Sequence, residues 1–145
     1  MMQTPFDMLN EYVRAFETMR ASEVTPFYDL PCTFIRPDGV WIVQDEATAL
    51  VLARHLIEHA KAQGYHHTQV CAPTLRELAL GLAELSGVFI RYDEWQSEIG
   101  RFGFTYIVRS DSEKWKIIVA IAHDAGTRDM PDNAEASVGN ERAGA

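Results

Sequence analysis

GLAELSGVFIRYDEWQ (81–96), GRFGFTYIVR (100–109) and KWKIIVAIAHD (114–124) decide the fold of this chain. Each segment alternates its side chains with a period of two and is dense in β-branched and aromatic residues, the pattern of a strand. Short polar turns separate them, the last being Asp111-Ser112-Glu113. The spacing predicts three consecutive antiparallel strands. On the first, Phe89, Arg91, Asp93 and Trp95 share one face, and Val88, Ile90 and Tyr92 share the other. Neither face is polar, so both are expected to be covered. On the last, Trp115, Ile117, Val119, Ile121 and His123 form one row, read as inward. Gly81, Gly87 and Gly103 fall in or beside these strands, where glycines mark bulges that curve a sheet.

Outward from this meander, Tyr65–Leu78 is a fourth strand interrupted by Pro73. A proline cannot donate to a ladder, so this strand is expected at an edge or bent at that point. Before it, Asp45 caps a helix that runs to about Gln63 and stops at Gly64. Its apolar arc is Leu50, Ala53, Leu56, Ile57 and Ala60. Cys32–Arg36 and Val40–Val43 make a small hairpin about the turn Pro37-Asp38-Gly39. Thr4 followed by Pro5 starts a first helix to about Arg20, with the stripe Phe6, Leu9, Val13 and Phe16. Ser22 with Thr25-Pro26 predicts a further helical turn ending before Pro31. From Ala125 the periodicity is lost, and residues 126–145 are expected to be a mobile tail behind a single domain spanning 1–125.

At 145 residues the chain is one domain by size, and its 47% hydrophobic content is that of an ordinary globule. The net charge of −8 speaks against nucleic-acid partners and anionic membrane surfaces. The most apolar run, Ile117–Ala122, is far short of the roughly 20 residues of a membrane span. Asp7, Asn10 and Glu11 stand where an export signal would need an apolar block. Cys32 and Cys71 are too few for a disulfide framework. A cytoplasmic protein is expected.

Helices gathered on one side of an antiparallel sheet make an α+β domain. Over Pro5 to Asp124, this element order resembles the nuclear transport factor 2-like (SnoaL-like) superfamily. The local match is the last hairpin, with Phe104 and Tyr106, a turn, then Trp115-Lys116-Ile117 and His123. The resemblance implies a cone-shaped, strongly curved sheet with helices over its concave face. It also implies a small-molecule pocket inside the cone and a homodimer through the outer sheet face.

Within that frame several constellations are candidates. Arg91 and Asp93 point the same way, and an arginine keeps a neighbouring carboxylate ionised and oriented, as a base that activates water requires. The spacing resembles the Arg-x-Asp of limonene-epoxide hydrolases, whose second carboxylate is replaced here by Ala120 and Ala122. The alternative is a structural ion pair on the strand. His123 and Asp124 resemble the acid–base pair of polyketide cyclases, although strand neighbours face opposite ways. Tyr12 resembles the helix-borne tyrosine of ketosteroid isomerases, with Asp29 or Asp38 as possible bases and core packing as the alternative. The expected catalytic set is therefore Asp93, Arg91, His123 and Tyr12. Trp95, Tyr106, Phe89, Phe16, Phe34 and Trp41 are expected to bind the ligand. His55-Leu-Ile-Glu-His59 spells a zinc-peptidase pattern, but the helical wheel turns both histidines from the core. No metal site and no organic cofactor are expected. Two functions stand side by side: a cofactor-independent acid–base enzyme (isomerase, cyclase or hydrolase) on a small apolar substrate, and a non-catalytic ligand-binding or dimerisation module.

Overall fold

The computed structural model describes residues 3–126. Helix α1 spans Pro5–Glu17, α2 spans Ala21–Val24, and a single 3-10 turn covers Thr25–Phe27. Strands β1 (Tyr28–Arg36) and β2 (Gly39–Val43) precede the long helix α3 (Glu46–Ala62). Four strands follow: β3 (His67–Ala79), β4 (Leu82–Tyr92), β5 (Glu98–Asp111) and β6 (Lys114–His123). All six form one curved sheet in the order β2-β1-β6-β5-β4-β3. The class is α+β, as expected. The sheet is mixed rather than wholly antiparallel, because β1 runs parallel to β6. Period-two patterning records which face a residue occupies but not which strand lies alongside, so this pairing was not legible.

The helix ends follow local chemistry. The Thr4 hydroxyl accepts from the Asp7 amide, and the Asp7 carboxylate accepts from the Thr4 amide, each at 3.0 Å. This capping box satisfies two donors at the start of α1. Met19 takes a positive φ of 62° and ends α1 before the expected Arg20. The buried stripe is centred on Met8, Leu9, Tyr12, Val13 and Phe16, while Phe6 is 37% exposed. Asp45 caps α3 by accepting from Thr48, and Gly64, at φ 83°, stops it. Among the described residues, no helix is long and apolar enough to cross a membrane.

Among the register breaks of the sheet, one in β3 and one in β6 bear on the sequence reading. β3 is an edge strand whose register breaks between Cys71 and Thr74, at Pro73. That is where a residue without an N–H is tolerated. The second bulge lies in β6. Ile107 pairs with Val119, but Val108 pairs with Ile117, so Ile118 is an extra residue. An extra residue moves every later side chain to the other face. Ile117 therefore faces the helices, and past the bulge Ala120 and Ala122, paired with Tyr106 and Phe104, take the inward positions. The row read as inward from Trp115 to His123 is broken. Val119, Ile121 and His123 point outward.

The core lies between the three helices and the concave face. It includes Met8, Leu9 and Val24 from the helical side and Leu85, Phe104, Val108 and Ile117 from the sheet. A smaller cluster of Cys71, Val88, Ile90 and Ala125 lies on the outer face of β3 and β4. The expected tail beyond Gly126 lies outside the described residues.

Candidate functional site

The concave face is not filled. A cavity of about 510 Å³ remains between α1, α3 and the sheet. Helix α1 contributes Tyr12, Val13 and Phe16, and β1 contributes Phe34. Alternation on β4 aims Phe89 and Arg91 inward, and on β5 it aims Phe102, Phe104 and Tyr106 inward. Ala120 and Ala122 floor the cavity from β6. These alanines stand where larger residues would close the space. His55, Leu56 and His59 of α3 border it, with Gln63 beyond the helix end.

The aromatic wall is mutually packed. Phe89 stacks on Phe104 with centroids 4.2 Å apart at 15°. Tyr12 meets Tyr28 and Tyr106 edge to face, at 5.8 and 6.1 Å. The Tyr12 and Tyr28 hydroxyls hydrogen-bond at 2.8 Å. Burial raises the pKa of all three phenols, those of Tyr28 and Tyr106 well above the ordinary value. They are neutral near pH 7, so they serve as hydrogen-bond donors rather than as bases. Burial also pushes the Cys32 thiol up to about 12, and Asp29 adds to the shift. Cys32 is a packing residue, not a nucleophile.

Arg91 is the charged group of this interior. Its guanidinium lies 5.0 Å from the Phe102 ring centroid, 5.3 Å from Phe16 and 5.4 Å from Tyr65. Its Nε is buried with no hydrogen-bond partner, and among the described residues no carboxylate pairs with it. Burial lowers its pKa, with the surrounding tyrosines opposing the shift. A guanidinium remains protonated regardless. Burying a charge costs several kcal/mol. Each cation–π contact returns about 0.5–2 kcal/mol, which offsets part of that cost.

The expected site residues separate into two groups. Arg91, Tyr12, Phe16, Phe34, Phe89 and Tyr106 come together around the cavity. Asp93, Trp95, His123 and Trp41 do not. β4 ends at Tyr92, so the alternation that aimed Asp93 and Trp95 inward stops one residue early. Asp93 instead organises the next turn, its Oδ1 accepting from the amides of Trp95 and Ser97, both at 2.9 Å. Trp95 is 76% exposed. An aspartate opening a turn is a readable signal, and here it outranks the period-two pattern. His123 lies on the outer face, its Nε2 2.9 Å from the Thr105 hydroxyl and its Nδ1 2.8 Å from the Asp124 carbonyl. Its ring fills the space over Gly103. Trp41 is 43% exposed on the edge strand β2, where Arg36 stacks on it at 5.6 Å.

Sequence reasoning missed Phe102, Phe104, Tyr65 and Thr68 as companions of Arg91. The run Phe102, Phe104, Tyr106 was visible as one period-two row. Tyr65 and Thr68 carry no such signal. His55 and His59 are exposed, as the wheel predicts, yet they form part of the cavity rim. Among the described residues, no group of three His, Cys, Asp or Glu side chains is placed to hold a metal ion.

The fold and cavity define a class, and the comparisons agree with it. A family model described as "NTF2-like protein (DUF6841)" matches residues 6–125. The chain belongs to this NTF2-like family. It is similar in structure to an NTF-2 like protein of unknown function from Shewanella oneidensis, with TM-score 0.62 and 12% identity over 83% of this chain and 100% of that one. A Mycobacterium tuberculosis protein of unknown function superposes with TM-score 0.60 and 12% identity, over 95% and 84% of the two chains. A Nostoc punctiforme domain of unknown function with a cystatin-like fold gives 0.62 and 14%, over 94% and 86%. At these identities the likeness is one of fold. No curated protein matches the chain.

Proposed function

We propose that this protein binds a small, largely apolar molecule inside the cone. The observation that carries this reading is the open cavity of about 510 Å³ walled by packed aromatics. It falls within the roughly 300–1,000 Å³ typical of ligand pockets, where a non-catalytic module could have been packed solid. Among the described residues the lining contains no aspartate or glutamate, so the carboxylate base of a hydrolase has no counterpart on these walls. Nile red, a neutral apolar dye, should fluoresce on binding the protein. Ala120→Phe should abolish that signal while the protein stays folded. Equal dye binding by both proteins would remove the cavity from consideration.

One observation favours a catalytic version of the same site. Tyr12 and Tyr106 place neutral phenols in the cavity that holds the Arg91 cation, a combination suited to stabilising negative charge that develops on an oxygen. A proton acceptor would then have to come from His55 or His59 at the rim. Native mass spectrometry of the purified protein separates the versions. A co-purified ligand returned unchanged supports binding alone, and its conversion on incubation supports an isomerase- or cyclase-type enzyme.

The homodimer belongs to the same proposal. Ile107, Val119 and Ile121 are half-buried on the outer face, a surface suited to a second copy. Light scattering at low micromolar concentration should give twice the monomer mass. The two free, buried cysteines fit a reducing, cytoplasmic location.

A further inference from the structure

The cavity has a chemical polarity that its aromatic walls conceal. The chain carries a net charge of −8, with 21 acidic residues against 13 lysines and arginines. Among the described residues none of those acids lines the cavity, whereas two arginines do. Arg36, near the rim, is already paired with Asp38 at 3.3 Å. Among the described residues Arg91 has no such partner, and its buried Nε–H has no acceptor.

The rings of Phe16, Tyr65 and Phe102 surround the Arg91 guanidinium. None of them supplies the oxygen acceptors that its in-plane N–H groups would take from a carboxylate. A carboxylate entering the cavity would accept from the two terminal N–H groups together, in the two-point geometry that arginine offers and lysine does not. Tyr12 and Tyr106 line the same cavity and add neutral hydroxyls to its walls. A phosphate dianion would call for several cations or a nest of backbone N–H groups. One arginine among rings suits a planar monoanion.

We propose that Arg91 anchors the carboxylate of a flat, apolar monocarboxylic acid whose ring system fills the aromatic part of the cavity. This rests on the reading of the cone as a ligand cavity and adds the ligand's class to it. The acid supplies the counter-charge that the described residues do not, so the role of Arg91 is completed on binding. A purely structural arginine differs in one respect: removing it would unsettle the fold without changing ligand preference.

The test compares 2-naphthoate with 2-naphthamide, its neutral near-isostere, by titration calorimetry at pH 7, on the wild type and on Arg91→Met. Methionine keeps an apolar stem without the charge. The wild type should bind the acid at least tenfold more tightly than the amide, and Arg91→Met should bring the two within about twofold of each other. The melting temperature of the ligand-free variant should equal or exceed that of the wild type, because a lone buried cation has been removed. Equal affinity of the wild type for acid and amide would overturn the anchor and leave the ligand cavity standing. So would a Met variant that melts lower yet keeps its preference for the acid. Failure of both naphthalenes while Nile red still binds would likewise overturn the anchor alone. Failure of all three probes would overturn the cavity reading and the anchor with it. Should the variant not fold, the wild-type ratio of acid to amide decides the matter.

Discussion

Two arginines on neighbouring strands meet opposite fates. Arg91 on β4 and Arg101 on β5 are both drawn into the protein, on opposite faces of the sheet. Arg101 is 1% exposed, and Glu98 grips it with two hydrogen bonds of 2.6 Å, one to Nε and one to Nη2. The shared charge raises the Arg101 pKa, the Glu98 hydrogen bond being the main cause. Arg91 faces the cavity with three rings and, among the described residues, no carboxylate. The sequence pattern assigns the strand ion pair to Arg91 and Asp93, whereas the structure forms it between Arg101 and Glu98. A buried charge that finds its counter-ion is part of the fold. One that does not is available to something else.

The comparison can be broken most directly at Glu98. Glu98→Gln should leave Arg101 buried beside a neutral amide and destabilise the protein by about 3–5 kcal/mol, read from the urea midpoint. A loss below 1 kcal/mol would mean that this pair contributes little and that the contrast with Arg91 is false.

A smaller effect is expected at Gly103. An added Cβ there would lie 2.5 Å from the His123 ring and 2.6 Å from the Asp124 carbonyl. Gly103→Ala should therefore cost about 1–3 kcal/mol through overpacking. A variant as stable as wild type would show that the outer face tolerates rearrangement.

The inner face should respond to alkali. The folded pKa values of Tyr12, Tyr28 and Tyr106 lie above the ordinary 10.0. The folded state therefore holds protons that the unfolded state releases as pH rises past 10. Stability should be full below that pH and fall above it. Tyr12→Phe should make the fall shallower. Melting temperatures between pH 8 and 11 check this, and a flat profile would contradict the burial of the phenols.

The smallest change should come from Asp93→Asn. An asparagine Oδ1 can accept from the Trp95 and Ser97 amides as the carboxylate does, so stability should shift by less than about 0.5 kcal/mol. Dye binding in the cavity should be unaltered. A large loss of either would return Asp93 to the site.

Much of the architecture was legible before any coordinates. Thr4-Pro5 starts α1, Asp45 and Gly64 delimit α3, and Pro73 sits in a bulge of an edge strand, as its missing N–H requires. The alternation of β4 and β5 placed Phe89, Arg91 and Tyr106 on the inner face. The site was legible only where that alternation continued. It stopped at Tyr92, which took Asp93 and Trp95 out of the cone. It slipped by one residue at Ile118, which turned His123 outward.

By itself the sequence determined the order of elements, their capped ends and the inward row on each unbroken strand, because these depend on neighbours within a few positions of each other. Only the tertiary structure decided that β1 runs beside β6, that Ile118 bulges, that Arg101 takes Glu98 and that Arg91 is ringed by aromatics. Those outcomes depend on which distant segments share space and on how much water each charge loses there. No local pattern encodes either quantity.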